Sequence, residues 1–75
     1  MYEPMNLQDA ILHEIMEEKV PVDLFLEGGF QIGGIIVSYD SFVIALISTG
    51  KQHMIYKHSI ISIAPIRPLK AATPK

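Results

Sequence analysis

Phe30-Gln31-Ile32-Gly33-Gly34-Ile35-Ile36-Val37-Ser38-Tyr39 is the stretch that decides the fold. Its β-branched and aromatic residues read as a strand from Phe30 to about Tyr39, yet two adjacent glycines sit in its middle. Paired glycines inside a strand pattern mark a sharp bend of the kind that closes small barrels. Upstream, Val22, Leu24 and Leu26 alternate with Asp23, Phe25 and Glu27 as a half-buried first strand, and Gly28-Gly29 is a hairpin signal joining the two. Downstream, Ser38-Tyr39-Asp40-Ser41 turns the chain into a third strand from Phe42 to Ser48. Thr49-Gly50 turns it into a fourth from Gln52 to Tyr56, and Lys57-His58-Ser59 leads to a fifth from Ile60 to Ala64.

Before the strands the period is helical. Leu7, Ile11, Leu12, Ile15 and Met16 fall on one face, so a helix is expected over 7–18, with Asn6 as its cap and Asp9 as an imperfect capping box. Glu17 and Glu18 stand at its C-terminal end, where the macrodipole disfavours negative charge and Lys19 offsets them only in part. From Pro65 onward, Pro68, Thr73 and Pro74 read as a mobile tail. The expected fold is mainly β: an N-terminal helix followed by a five-stranded, strongly bent antiparallel barrel. Residues 1–5 form a flexible start, 6–66 the domain and 67–75 a flexible tail.

Seventy-five residues make one domain near the lower size limit for a self-sufficient core. The absence of cysteine removes disulfides and thiolate-bound zinc from consideration. A small chain this rich in Ile, Leu and Val, without a covalent staple, often completes its burial against copies of itself. The fourth and fifth strands, His53-Met54-Ile55-Tyr56 and Ile60-Ile61-Ser62-Ile63, carry almost no charge and are hazardous edges unless paired. Two different edges on one protomer make head-to-tail contacts, which close into a ring when the rotation permits. No apolar run is long enough for a membrane span, and no basic region followed by an apolar stretch opens the chain, so a cytoplasmic protein is expected. A net charge of −2 argues against a broad basic surface for duplex DNA.

Tyr56-Lys57-His58 sets an aromatic ring, a cation and an imidazole at a turn, groups that can stack on a base, neutralise a phosphate and hydrogen-bond a base edge. The histidines at 13, 53 and 58 have no metal-ligand spacing, no nucleophile adjoins an evident base, and the glycine pairs suit turns rather than a phosphate cradle. Neither enzymatic chemistry nor a cofactor is expected. Asp40 reads as a turn residue whose carboxylate bonds nearby backbone amides.

Taken in order, Asn6-Leu7-Gln8-Asp9, Val20-Pro21-Val22, Gly29-Phe30-Gln31, Tyr39-Asp40-Ser41-Phe42-Val43, Gly50-Lys51-Gln52, Ile55-Tyr56-Lys57-His58 and Arg67-Pro68 resemble the Hfq family, the bacterial Sm-like RNA chaperones. The likeness runs from about Asn6 to Pro68. It implies a homohexameric ring of Sm-like (SH3-like) barrels in post-transcriptional regulation, pairing small regulatory RNAs with messenger RNAs. Neighbours would meet through Met54, Ile55, Tyr56, Ile61 and Ile63. A pore face for uridine-rich single strands would use Gln8, Ser41, Phe42, Lys57 and His58, with Phe42 as the stacking platform. An opposite face for purine-containing RNA would use Phe25, Gly29, Phe30, Gln31, Ile32 and His53.

The chain also departs from the family pattern. Ser41 and His53 stand where glutamine is common, Phe25 where tyrosine is, and Gly33 replaces a base-reading side chain. Met16-Glu17-Glu18-Lys19 replaces an arginine-rich rim, which removes the ground for expecting strand annealing there. Plainer readings apply to the same residues: Phe25, Phe30 and Phe42 as core, Lys57-His58 as a solvated turn, and Gln8 as a first-turn helix residue. The alternative function is a structural or protein-interaction ring of the same fold with weak RNA affinity. A small-nucleotide binder is a third.

Overall fold

In a computed structural model, which describes residues 7–70, one helix precedes five strands: α1 (Leu7–Glu17), β1 (Val22–Leu26), β2 (Phe30–Tyr39), β3 (Val43–Ser48), β4 (Lys51–Tyr56) and β5 (Ile60–Pro65). The expected cap Asn6 and the flexible segments 1–5 and 71–75 lie outside the described residues. The sheet is antiparallel, in the order β4-β3-β2-β1-β5, so β4 and β5 stand at opposite edges.

The bend falls where the glycine pair placed it. Residues 30–34 of β2 pair with β1, ending at Gly34 opposite Val22, and from Ile35 onward β2 pairs with β3, opening at Ile35 opposite Ile47. One long strand thus serves both halves of the sheet. A register shift between Ile36 and Ser38 adds to the curvature, since an unpaired residue bends the strand that carries it. The bent sheet encloses a wholly aliphatic core of Leu12, Ile15, Val20, Val22, Leu24, Ile36, Ile44, Leu46 and Leu69.

Element ends follow local backbone chemistry. The helix stops at Glu17, one residue earlier than expected, because Lys19 takes a left-handed conformation (φ 50°). There the Val20 N–H donates to the Ile15 carbonyl at 3.0 Å and the Lys19 N–H to Met16 at 3.2 Å. This is the Schellman arrangement, with buried Val20 and Ile15 as its apolar pair. The first hairpin is not a two-residue turn but a 3-10 turn over Glu27–Gly29, with Gly28 and Gly29 at φ 85° and 82°. Thr49 and Gly50 do form a two-residue turn with both φ positive, which starts β4 at Lys51.

Packing continues into the stretch expected as tail. Ile66 N–H donates to the Pro21 carbonyl, Arg67 bonds the Glu18 carboxylate, and Lys70 N–H donates to Glu14 Oε2 at 2.9 Å. Leu69 is 3 % exposed. Proline-rich composition suggested mobility, but one apolar side chain sealing the base of the core outweighs it. Leu69→Ala is expected to destabilise the protein by about 2 kcal/mol, the low end for a core leucine because the segment after β5 can settle into the gap. Urea unfolding measures this as a lower midpoint at unchanged slope.

Candidate nucleic-acid interface

The core contains no aromatic residue, and the phenylalanines all lie outside it: Phe25 is 37 %, Phe30 70 % and Phe42 75 % exposed. The plainer reading of these rings as core is therefore incorrect. Register explains it for Phe25, which points away from the core between buried Leu24 and half-buried Leu26.

Phe42 is exposed because it precedes β3 rather than opening it. Asp40 Oδ1 accepts the N–H groups of Phe42 at 2.7 Å and Val43 at 2.9 Å, and Asp40 N–H donates to the Val43 carbonyl. The turn role read for Asp40 is the one it has. The Phe42 N–H, then that of Val43, and also the charge on Lys57 hold the Asp40 carboxyl below its ordinary value. A lowered folded value means the aid this turn receives is full above the ordinary aspartate range and is lost as pH falls beneath it. The turn's contribution to stability is expected to hold from neutrality down to the ordinary aspartate range and to fall as pH drops beneath it. Urea midpoints measured against pH check this, and Asp40→Asn should flatten the fall.

Across the turn, the Lys57 N–H donates to the Phe42 carbonyl at 2.8 Å, pinning the Lys57–Ser59 3-10 turn beside the aromatic. The result is one recess lined by Gln8, Ser41, Phe42, Tyr56, Lys57 and His58. All the residues expected on the pore face converge there, joined by Tyr56, whose ring stacks on His58 with centroids 5.7 Å apart. The recess offers an exposed aromatic face, an ammonium, an imidazole, an amide and a hydroxyl. Those groups suit a planar, polar-edged ligand attached to an anionic backbone.

The opposite-face residues are only partly gathered. Phe25 and Gln31 stand directly across the β1–β2 ladder and share a face. Phe30 and Ile32 alternate onto the other face, Phe30 opposite Leu26 and Ile32 opposite buried Leu24, and Gly29 lies in the turn. His53, on β4, pairs with Leu46 of β3, and β3 and β2 separate it from β1. Of the expected subunit contacts, Met54, Tyr56 and Ile61 are well exposed at 69 %, 56 % and 69 %, whereas Ile55 and Ile63 pack against this chain's own core.

Tyr39 is a residue that sequence patterns placed at a strand end and turn, with no site role. Its ring lies 5.6 Å from the Lys57 ammonium, and its hydroxyl donates to the Asp9 carbonyl oxygen at 3.3 Å. Burial, then the charge of Asp9, pushes the phenol above its ordinary value. Among the described residues no group of His, Asp or Glu could hold a metal ion, and no helix is long and apolar enough to cross a membrane.

The model of the family described as Hfq protein matches residues 7–70. "RNA-binding protein Hfq" of Carboxydothermus hydrogenoformans is 51 % identical over 65 residues, covering 87 % of this chain and 76 % of that protein. Its namesake from Desulforamulus reducens is 46 % identical over 68 residues, covering 91 % and 85 %. Among solved structures, the 1.55 Å crystal structure of the pleiotropic translational regulator Hfq superposes with a TM-score of 0.78 at 42 % identity, covering 79 % of this chain and 98 % of that one.

Proposed function

Because the chain belongs to the Hfq family and has its Sm-like fold, we propose that it is a non-enzymatic RNA-binding protein that works as a homohexameric ring in post-transcriptional regulation. The observation that carries this reading is the recess of Gln8, Ser41, Phe42, Tyr56, Lys57 and His58, with the Phe42 ring presented to solvent. There a uracil stacks on Phe42, the Gln8 amide meets its edge, His58 donates to the base or a 2′-hydroxyl, and Lys57 meets a base oxygen or a phosphate. The ligand is the uridine-rich end of a small regulatory RNA or a messenger RNA.

Two open sheet edges support the ring. With β4 of one protomer laid on β5 of the next, exposed Met54, Tyr56 and Ile61 are covered and every strand gains a partner. An apolar groove of about 310 Å³ runs beside β5, along Ile60, Ile61 and Ile63 under Ile11 and Leu12, and offers such a neighbour a seat. Closure also gathers one Lys57 from each protomer around the centre, which gives a chain of net charge −2 a local positive field for RNA. The opposite face binds purine-containing RNA mainly by stacking on Phe25, which shares its face with Gln31. The rim takes no part in annealing: Glu18 is ion-paired to this chain's own Arg67, and Glu17 repels phosphate.

Fluorescence anisotropy of a labelled uridine-rich RNA at low and near-physiological salt, with native mass spectrometry of the same sample, tests the assignment. Tight binding that weakens with salt, by a particle of six protomers, is the expected result. Absence of binding at low salt would sink the RNA reading and leave a ring for protein partners.

A further inference from the structure

Tyr39, the last residue of β2, does not line the recess, yet it touches two of its walls. The Lys57 ammonium stands 5.6 Å from its ring centroid. Its hydroxyl holds the backbone carbonyl of Asp9, the residue following Gln8. The ring is half-buried and packed against the core, so its orientation is set from below by aliphatic side chains and from the side by the helix.

An ammonium on a four-carbon stem samples many rotamers, and a ligand that must order it loses affinity in doing so. The negative face of an aromatic ring attracts the cation without using up its three hydrogen-bond donors. Lys57 on Tyr39 is thereby kept within one sector of its range while its N–H groups stay available to an oxygen in the recess. The backbone is held as well, through the Lys57 N–H to the Phe42 carbonyl and the Asp40 turn that follows Tyr39 directly.

We propose that Tyr39 is the positioning residue of the recess: it presets the Lys57 ammonium for RNA without contacting RNA itself. This inference rests on the proposed uridine-binding role of the recess and goes beyond it by assigning that role's geometry to a residue outside. It also separates the two parts of the tyrosine. The ring does the positioning, whereas the hydroxyl anchors the ring to α1.

The test is a double-mutant cycle on uridine-rich RNA binding, with a thermal melt of each full-length variant. Tyr39→Phe keeps the ring face and should bind within about twofold of wild type. Tyr39→Leu should bind roughly threefold to tenfold more weakly, the range expected for one partly desolvated cation–π contact. In a Lys57→Ala background, Tyr39→Leu should add no further loss, because nothing remains to be positioned. Wild-type binding by Tyr39→Leu, or losses that multiply with those of Lys57→Ala, would overturn the proposal while leaving the recess in place. Wild-type binding by Lys57→Ala would instead remove the recess reading and this inference with it. If Tyr39→Leu does not fold, the methylene resonances beside the Lys57 ammonium decide in wild type. A ring-current shift upfield of Lys19 and Lys51 supports the contact, and coincidence with them refutes it.

Discussion

Phe42→Ala lowers the affinity for uridine-rich RNA by roughly five- to 150-fold per occupied recess, the equivalent of about 1–3 kcal/mol of base stacking. The ring is 75 % exposed and stands before β3, outside the aliphatic core. Its removal should therefore leave stability within about 0.5 kcal/mol of wild type, as at other surface positions. An RNA threading several recesses loses a stacking partner at each, so the deficit grows with oligomer length. Anisotropy with uridine oligomers of increasing length, beside urea unfolding of the same variant, reads both quantities. A stable variant that binds normally would remove Phe42 as the platform, and one that unfolds early would return it to the core. Phe42→Tyr keeps the stacking face and is expected to keep most of the affinity.

Gly34→Ala should produce the largest loss of stability of any single methyl addition in the chain, about 3 kcal/mol or more. A Cβ on Gly34 would lie inside the contact distance of the Ile47 carbonyl oxygen, with the Leu46 side chain as its next neighbour. Backbone cannot swing aside as a side-chain tip can. The β2–β3 ladder would have to open where it begins, at Ile35 opposite Ile47, and carry Ile36 and Leu46 out of their core positions. Gly33→Ala is the control. Its Cβ would meet the Asp23 carboxylate, the free end of a rotatable group, so a change of under about 1 kcal/mol is expected. Chemical denaturation of the two variants separates the bend glycine that must lack a side chain from the one that need not. Equal midpoints would mean that the close approach at Gly34 is relieved at little cost.

Much of this was legible in the chain, for identifiable reasons. Alternation of apolar and polar residues has period two on a half-buried strand, so Val22 to Leu26 declared both its type and its inward face. Adjacent glycines in an apolar run marked the bend, and the carboxylate of Asp40 marked a turn because short polar side chains compete for backbone amides. The groups on the Lys57–His58 turn were legible by kind. Their convergence with Gln8 and Phe42 was implied only by the family resemblance and not by any local pattern, because those residues are far apart in sequence and meet through packing of α1 and the β3–β4 ladder.

The exposure of the phenylalanines was decided by register and by one hydrogen-bonded turn, since a ring next to aliphatic residues has the same local pattern whether it faces in or out. Leu69 looked like tail because composition reports local chain preference, whereas its burial depends on the opening left between α1 and the sheet. The contact of Tyr39 with Lys57 gave no signal: a cation–π contact joins residues 39 and 57 across the fold and leaves no periodicity to read. By itself, then, the sequence determined the elements, their order and the kinds of chemical group available, all of which depend on neighbours along the chain. Only the tertiary structure decided which groups share a recess and which rings face water, because those outcomes depend on distances between strands that the backbone brings together.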